Sequence, residues 1–163
     1  MKKPKITPCL WFDSQAEKAV NFYISIFKNS KIVGTAHYGE AGAEASGRPK
    51  GTVMTILFLL EGQEFMALNG GPVFTFSPAI SLAVNCGTQK EVDLLWENLS
   101  AGGEKGQCGW LKDRYGISWQ IVPAILGEML KDKNAKKSER VMEAMLQMNK
   151  IDIKALQHAY ERG

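Results

Sequence analysis

Residues 6–12 sort into two alternating sets, with Thr7, Cys9 and Trp11 facing one way and Ile6, Pro8, Leu10 and Phe12 the other. A period of two predicts a strand, and Pro8 has no N–H to give a neighbour, so that edge is free or bulged. Ser14-Gln15-Ala16-Glu17 has capping-box spacing, and Ala16, Ala19, Val20, Tyr23, Ile26 and Phe27 follow at helical spacing. A helix is therefore expected to about Lys28. Residues 31–38, 52–60 and 64–68 read as strands, the last two joined by a turn at Glu61-Gly62. Residues 39–51 (GEAGAEASGRPKG) are small, polar and glycine-rich, which predicts a mobile loop.

The same order then recurs. Residues 79–86 read as a strand, Thr88-Gln89-Lys90-Glu91 as a second capping box, and Val92, Leu95, Trp96 and Leu99 as the apolar stripe of a helix. The second box stands 74 positions after the first. Residues 101–107 form a glycine-rich turn with at most a short strand. The stretch 108–123 (CGWLKDRYGISWQIVP) predicts a hairpin, with Asp113-Arg114-Tyr115-Gly116 as the turn. After it Ile117, Trp119 and Ile121 alternate with Ser118, Gln120 and Val122, and Pro123 stops the strand. The pattern predicts an α+β fold of paired β-α-β-β-β modules, about 5–72 and 78–123. Two such halves would enclose a cavity between their sheets, and repeat junctions suit ligands. The domain is placed at 1–124, with a helical tail at 125–163. In that tail Val141, Met142, Met145, Leu146 and Met148 form an apolar stripe. Asp152 looks like the N-cap of a last helix with Leu156, Ala159 and Tyr160 inward. The stripe must be buried on its own sheet or on a partner's.

A chain of 163 residues with 45% hydrophobic positions can bury a real core. Its net charge of +3 is spread out and gives no argument for nucleic acid. The densest basic run, residues 131–137, is broken by Asp132 and Asn134 and reads as a solvated connection between helices. Cys9, Cys86 and Cys108 are odd in number and lack C-x-x-C spacing, as expected of reduced thiols in a cytoplasmic protein. No apolar run is long enough to span a bilayer. The charged stretch 1–12 lacks the apolar core of a signal peptide. The glycine-rich loop lacks both the G-K-[ST] ending and the G-x-G-x-x-G order of nucleotide-binding loops.

Two tryptophans and a glutamine on one hairpin read either as a pocket wall with a polar tip or as core, with Gln120 bonded to backbone. Asn69-Gly70-Gly71 is good turn chemistry as well as a possible ligand edge. Cys9 has no histidine placed to activate it and reads as a small inert residue. Asp113 reads as a turn residue and His37 as a surface strand residue.

Several stretches together resemble one family. They are ITPCLWF at 6–12, Asn21-Phe22-Tyr23, Leu68-Asn69-Gly70-Gly71-Pro72, Phe74 with Phe76, Ser81-Leu82, the segment 108–123, and the tail MEAMLQMNKIDIKALQHAY at 142–160. The chain resembles the vicinal-oxygen-chelate superfamily, which has a glyoxalase/bleomycin-resistance-like fold. More narrowly it resembles the PhnB-like branch, described as 3-demethylubiquinone-9 3-methyltransferase-like. Metal lyases of that superfamily hold a metal with His and Glu at four inward strand positions. By strand order these fall here near Thr7 (or Cys9 or Lys5), Asn69, Ser81 (or Ala79) and Gln120. None of these is a histidine or carboxylate, and a divalent site needs several such donors. The resemblance thus implies the fold without the metal, and no cofactor is expected. It implies ligand binding at Thr7, Asn69, Ser81, Trp110 and Gln120, with no catalytic residue identified, by a cytoplasmic homodimer that takes a small organic molecule and neither nucleic acid nor membrane. The alternative it implies is an enzyme: a metal-dependent lyase or dioxygenase, or a methyltransferase. The turn after the first strand, Phe12-Asp13-Ser14-Gln15, has none of the glycines of a Rossmann-like S-adenosylmethionine site.

Overall fold

Pro8 has no amide proton, so the first strand begins only after it: β1 is Cys9–Phe12, shorter than the 6–12 expected. The structure, a computed structural model, describes residues 4–162. Residues 1–3, which open the charged stretch weighed above as a leader, and residue 163 lie outside the described residues. The chain divides into two compact units, Met1–Phe76 and Ser77–Gly163.

In the first unit β1 is followed by α1 (Ala16–Ile26), β2 (Lys31–His37), α2 (Glu40–Ser46), β3 (Val53–Leu60) and β4 (Gln63–Asn69). The sheet order is β1-β4-β3-β2, with β1 parallel to β4 and the other pairs antiparallel. Alternate strand residues, among them Leu10, Phe12, Ile56, Phe58, Phe65 and Ala67, form the buried face. Ala16, Ala19, Val20 and Tyr23 are the buried side of α1. The expected mobile loop is instead mostly α2. Three alanines in EAGAEAS favour helix despite the flanking glycines, and Gly47 closes it at φ +69 with its N–H on Ala43 O.

The second unit repeats the plan. It has β5 (Ser81–Cys86), α3 (Gln89–Ser100), β6 (Glu104–Lys105), β7 (Trp110–Lys112) and β8 (Ser118–Pro123). The order is β5-β8-β7-β6, again with first and last strands parallel. The two β-α-β-β-β modules expected from the sequence are therefore present, with identical strand orders. β5 starts at Ser81 because the amides of Ala79 and Ile80 turn back onto Ser77. Asp113 is more than a turn residue. It is 2% exposed; Oδ1 accepts from the amides of Tyr115 and Ile117, and Oδ2 from Trp119 Nε1 at 2.8 Å.

The tail continues as α4 (Ala124–Leu130), α5 (Ala135–Leu146) and α6 (Ile153–Glu161). Of its apolar stripe, Val141 is buried within its own unit, in a cluster with Leu126, Met129, Ile151 and Leu156 that Met145, Met148 and Val122 of β8 adjoin, while Leu146 stays exposed. Polar anchors hold it there. The amides of Cys108 and Gly109 donate to Met148 O and Asn149 O, each at 2.7 Å. Gln89 donates to Ile151 O and accepts from the amide of Ile153. Lys150 pairs with Asp93 at 2.7 Å. Asp152 caps α6 through the amide of Ala155, and the Tyr160 hydroxyl donates to Asp132.

The anchors set a pH window. Lys150 and Gln89 hold the Asp93 carboxyl below its ordinary value, and Tyr160 with the Asn134 amide does the same for Asp132. Their contribution is present above the ordinary carboxylate value and lost as pH falls through the lowered one. Lys150 and Tyr160 are raised by the same bonds, so their contribution is lost as pH rises through their raised values. Tail docking should be tightest between about pH 4 and pH 10. Hydrogen exchange, corrected for intrinsic rates, should show residues 148–160 losing protection below about pH 4 before β8 does; simultaneous loss would contradict this. A second check concerns the hairpin: Asp113→Ala orphans three donors and should cost about 3 kcal/mol in urea unfolding.

Candidate functional site

β8 pairs with β5 and β7 so that Gln120 lies opposite both Ala83 and Trp110. Residues directly opposite share a face. Leu111, Trp119 and Ile121 form one face and are buried with the Val92, Leu95, Trp96 and Leu99 side of α3. Cys86 is on this side too; burial, and secondarily Glu91, pushes its thiol up to about 12. The other face carries Ser81, Ala83, Asn85, Trp110 and Gln120, all half-buried or exposed.

Three of the expected site residues meet on that face. Gln120 Nε2 donates to Ser81 Oγ at 2.8 Å, and Trp110 stands beside Gln120 on the neighbouring strand. The core alternative for Gln120, an amide spent on backbone, is not what is seen; its recorded bond is to a hydroxyl. Trp119, by contrast, is core, 2% exposed and bonded to Asp113. Two residues beyond Gln120, Val122 meets the tail cluster, so the tail closes that end of the face. The main chain before Trp110 is tightly shaped. Cys108 has φ +55 and Gly109 φ +81, and a Cβ on Gly109 would lie 2.7 Å from Ile121 O.

Thr7 and Asn69 belong to the first unit. Thr7 Oγ1 donates to Glu64 Oε1 at 2.9 Å. Glu64, Met66 and Leu68 are half-buried and alternate with buried Phe65, Ala67 and Asn69. In the sequence Glu64 reads as the residue after a turn, and only its alternation with Phe65 marks its face. Asn69 is not inward on the side of Thr7, as strand order suggested; it points to the helix side and is 3% exposed. Its Oδ1 accepts from the Ala16 amide at 2.9 Å, while Nδ2 donates to Glu17 Oε2 and Val53 O. It replaces the expected capping box, since Gln15 is the N-cap of α1 and makes no side-chain cap bond. Gly70 and Gly71 complete this corner. A Cβ on Gly70 would fall 2.3 Å from the Trp11 ring, and Trp11 Nε1 donates to Gly71 O.

Cys9 reaches solvent, yet packing around the sulfur pushes its thiol up, away from the thiolate. Among the described residues no three His, Cys, Asp or Glu side chains are grouped to hold a metal ion. In the first unit Thr7 is neutral and Glu64 adds a single carboxylate, and in the second Ser81 and Gln120 are neutral, so neither set of donors fits a divalent metal. No helix among the described residues is long and apolar enough to cross a membrane.

Comparison with known proteins agrees with this architecture. Residues 4–122 match the 3-demethylubiquinone-9 3-methyltransferase family. A PhnB protein of Bacillus cereus is 40% identical, with a TM-score of 0.66 over 74% of this chain and 100% of its own. A protein of Pseudomonas aeruginosa, PA1353, is 20% identical, with a TM-score of 0.57 over 72% of this chain and 95% of its own. FosX of Listeria monocytogenes, a fosfomycin resistance protein, shares the fold at 18% identity, with a TM-score of 0.56 over 81% of this chain and 100% of its own. No curated protein matches the chain.

The Asn69 corner has a measurable consequence. Asn69→Ala removes the cap of α1 and orphans Val53 O, and it should destabilise the protein by about 2–4 kcal/mol. Urea unfolding would contradict this role if the variant stayed within about 0.5 kcal/mol of the parent.

Proposed function

The chain belongs to the 3-demethylubiquinone-9 3-methyltransferase family, within the PhnB-like branch of the vicinal-oxygen-chelate superfamily, and on that premise we propose that it binds a small organic molecule on the face of its second sheet away from α3, without a resident metal. The observation that carries the reading is the Gln120–Ser81 hydrogen bond, held beside Trp110 on the side of the sheet away from α3. Polar side chains that stay accessible on a rigid sheet, next to an aromatic ring, are the usual materials of an organic-ligand site. Thr7 is a hydroxyl of the first unit, bonded to Glu64, and Asn69 leaves the reading, because its amide is spent on α1 and β3.

Two enzymatic readings compete. FosX has been solved with Mn(II) and sulfate, but Ser81 and Gln120 here are neutral donors, which do not suit a divalent metal. The family description names a methyl transfer. The α1 N-terminus, where a Rossmann-like site would receive a charged ligand group, has its Ala16 amide taken by Asn69. A cytoplasmic homodimer is part of the proposal.

Metal content after incubation with Zn, Mn, Ni and Fe(II) and desalting should be far below one ion per chain; near-stoichiometric metal moves the reading to lyase or dioxygenase chemistry. Stabilisation by S-adenosylmethionine in a thermal-shift assay would favour methyl transfer. Sedimentation should show a dimer. Gln120→Ala should leave stability within about 1 kcal/mol, yet abolish the shifts that fragment-library hits cause at the Trp110 indole in NMR spectra. A large stability loss would instead make Gln120 structural.

A further inference from the structure

The face of the second sheet away from α3 carries groups that select a chemical class of ligand. A primary amide bonded to a hydroxyl leaves hydrogen-bonding capacity of both kinds. With Gln120 Nε2 donating to Ser81 Oγ at 2.8 Å, the serine hydroxyl hydrogen is left as a donor and Gln120 Oε1 as an acceptor. If the bond ran the other way, the amide would supply the donor and the serine oxygen the acceptor. Either way one donor and one acceptor sit side by side, on neighbouring strands whose spacing is fixed by the ladder Ser81↔Ser118 and Ala83↔Gln120. Trp110, opposite Gln120, sets an aromatic surface about 5 Å to one side.

Charge narrows the class further. Among the strand residues of this face, Ser81, Ala83, Asn85, Trp110, Ser118, Gln120 and Val122 are neutral. Lys112 is paired with Glu104 at 2.8 Å. An ionic ligand would have to draw Lys112 or Glu104 out of their pair, whereas a neutral one leaves it intact and loses little on leaving water. We propose that the face takes a neutral, flat ring bearing a donor next to an acceptor, such as a lactam or a hydroxyl beside a carbonyl. The ring lies against Trp110, and its donor and acceptor pair reciprocally with Gln120 and Ser81. This rests on the reading of that face as a ligand site.

The test uses three probes of one shape: 2-quinolone, which carries N–H beside C=O; N-methyl-2-quinolone, which lacks the donor; and quinoline-2-carboxylate, which carries a charge. Binding is read from the Trp110 indole and Gln120 amide resonances of the full chain, assigned with Trp110→Phe and Gln120→Leu. 2-Quinolone should shift both resonances and bind about tenfold more tightly than its N-methyl analogue, the effect of one lost hydrogen bond. The carboxylate should bind more weakly than 2-quinolone, and Ser81→Ala should erase the preference over the N-methyl compound. If the N-methyl compound or the carboxylate binds as tightly while moving Trp110, the ligand class is wrong and the ligand face stands. If none of the three moves either resonance, both fail.

Discussion

A four-stranded sheet with one helix has one face covered and one face left to other uses, and strand parity decides which residues go where. In the second unit that parity puts Leu111, Trp119 and Ile121 with α3 and leaves Ser81, Trp110 and Gln120 on the opposite side. A slip of one residue would exchange the two sets. Register is therefore the quantity on which both core and site depend. Asp113 fixes it at the turn, gripping the Trp119 indole and two backbone amides. At the far end of the hairpin the Ile121 amide donates to Gly109 O, and the tail in turn holds the Cys108 and Gly109 amides. The site residues lie between these two clamps, on a strand whose position leaves little freedom.

Much of this was legible because alternation and helical spacing are local signals. The two β-α-β-β-β modules follow from such patterns, and Gln120, Trp110 and Ser81 lie on one face because period two puts Gln120 and Trp119 on opposite sides of their strand. What was not legible depends on partners distant in sequence. Ser14 and Glu17 have capping-box spacing, but the acceptor that reaches the α1 N-terminus is Asn69, 53 residues away. The turn chemistry of Asn69-Gly70-Gly71 hid that role, because the same residues suit a turn, a ligand edge or a long-range cap. In residues 39–51 the glycines signal a loop locally, whereas the alanines between them build α2. Glu64 carries no local signal of its role, because its relation to Thr7 exists only across the β1–β4 pairing.

The repeats differ at their helix starts, and the difference has a structural use. In the first unit the start of α1 is satisfied from afar, by a side chain at the end of β4, so helix and sheet are tied directly. In the second the start of α3 is satisfied locally: Thr88 Oγ1 accepts from the Glu91 amide, and Glu91 accepts from the Gly87 amide. With the helix start settled by its own neighbours, Gln89 is free to bond both sides of the tail at Ile151 and Ile153. The tail reaches the sheet through Val122, next on the site face after Gln120. A local cap on one helix thus supports an extension that borders the candidate site. The first unit, whose cap is drawn from the sheet itself, instead forms the close Gly70–Trp11 packing and the Asn69 knot. Two modules of one topology are in this way braced differently by a few polar side chains.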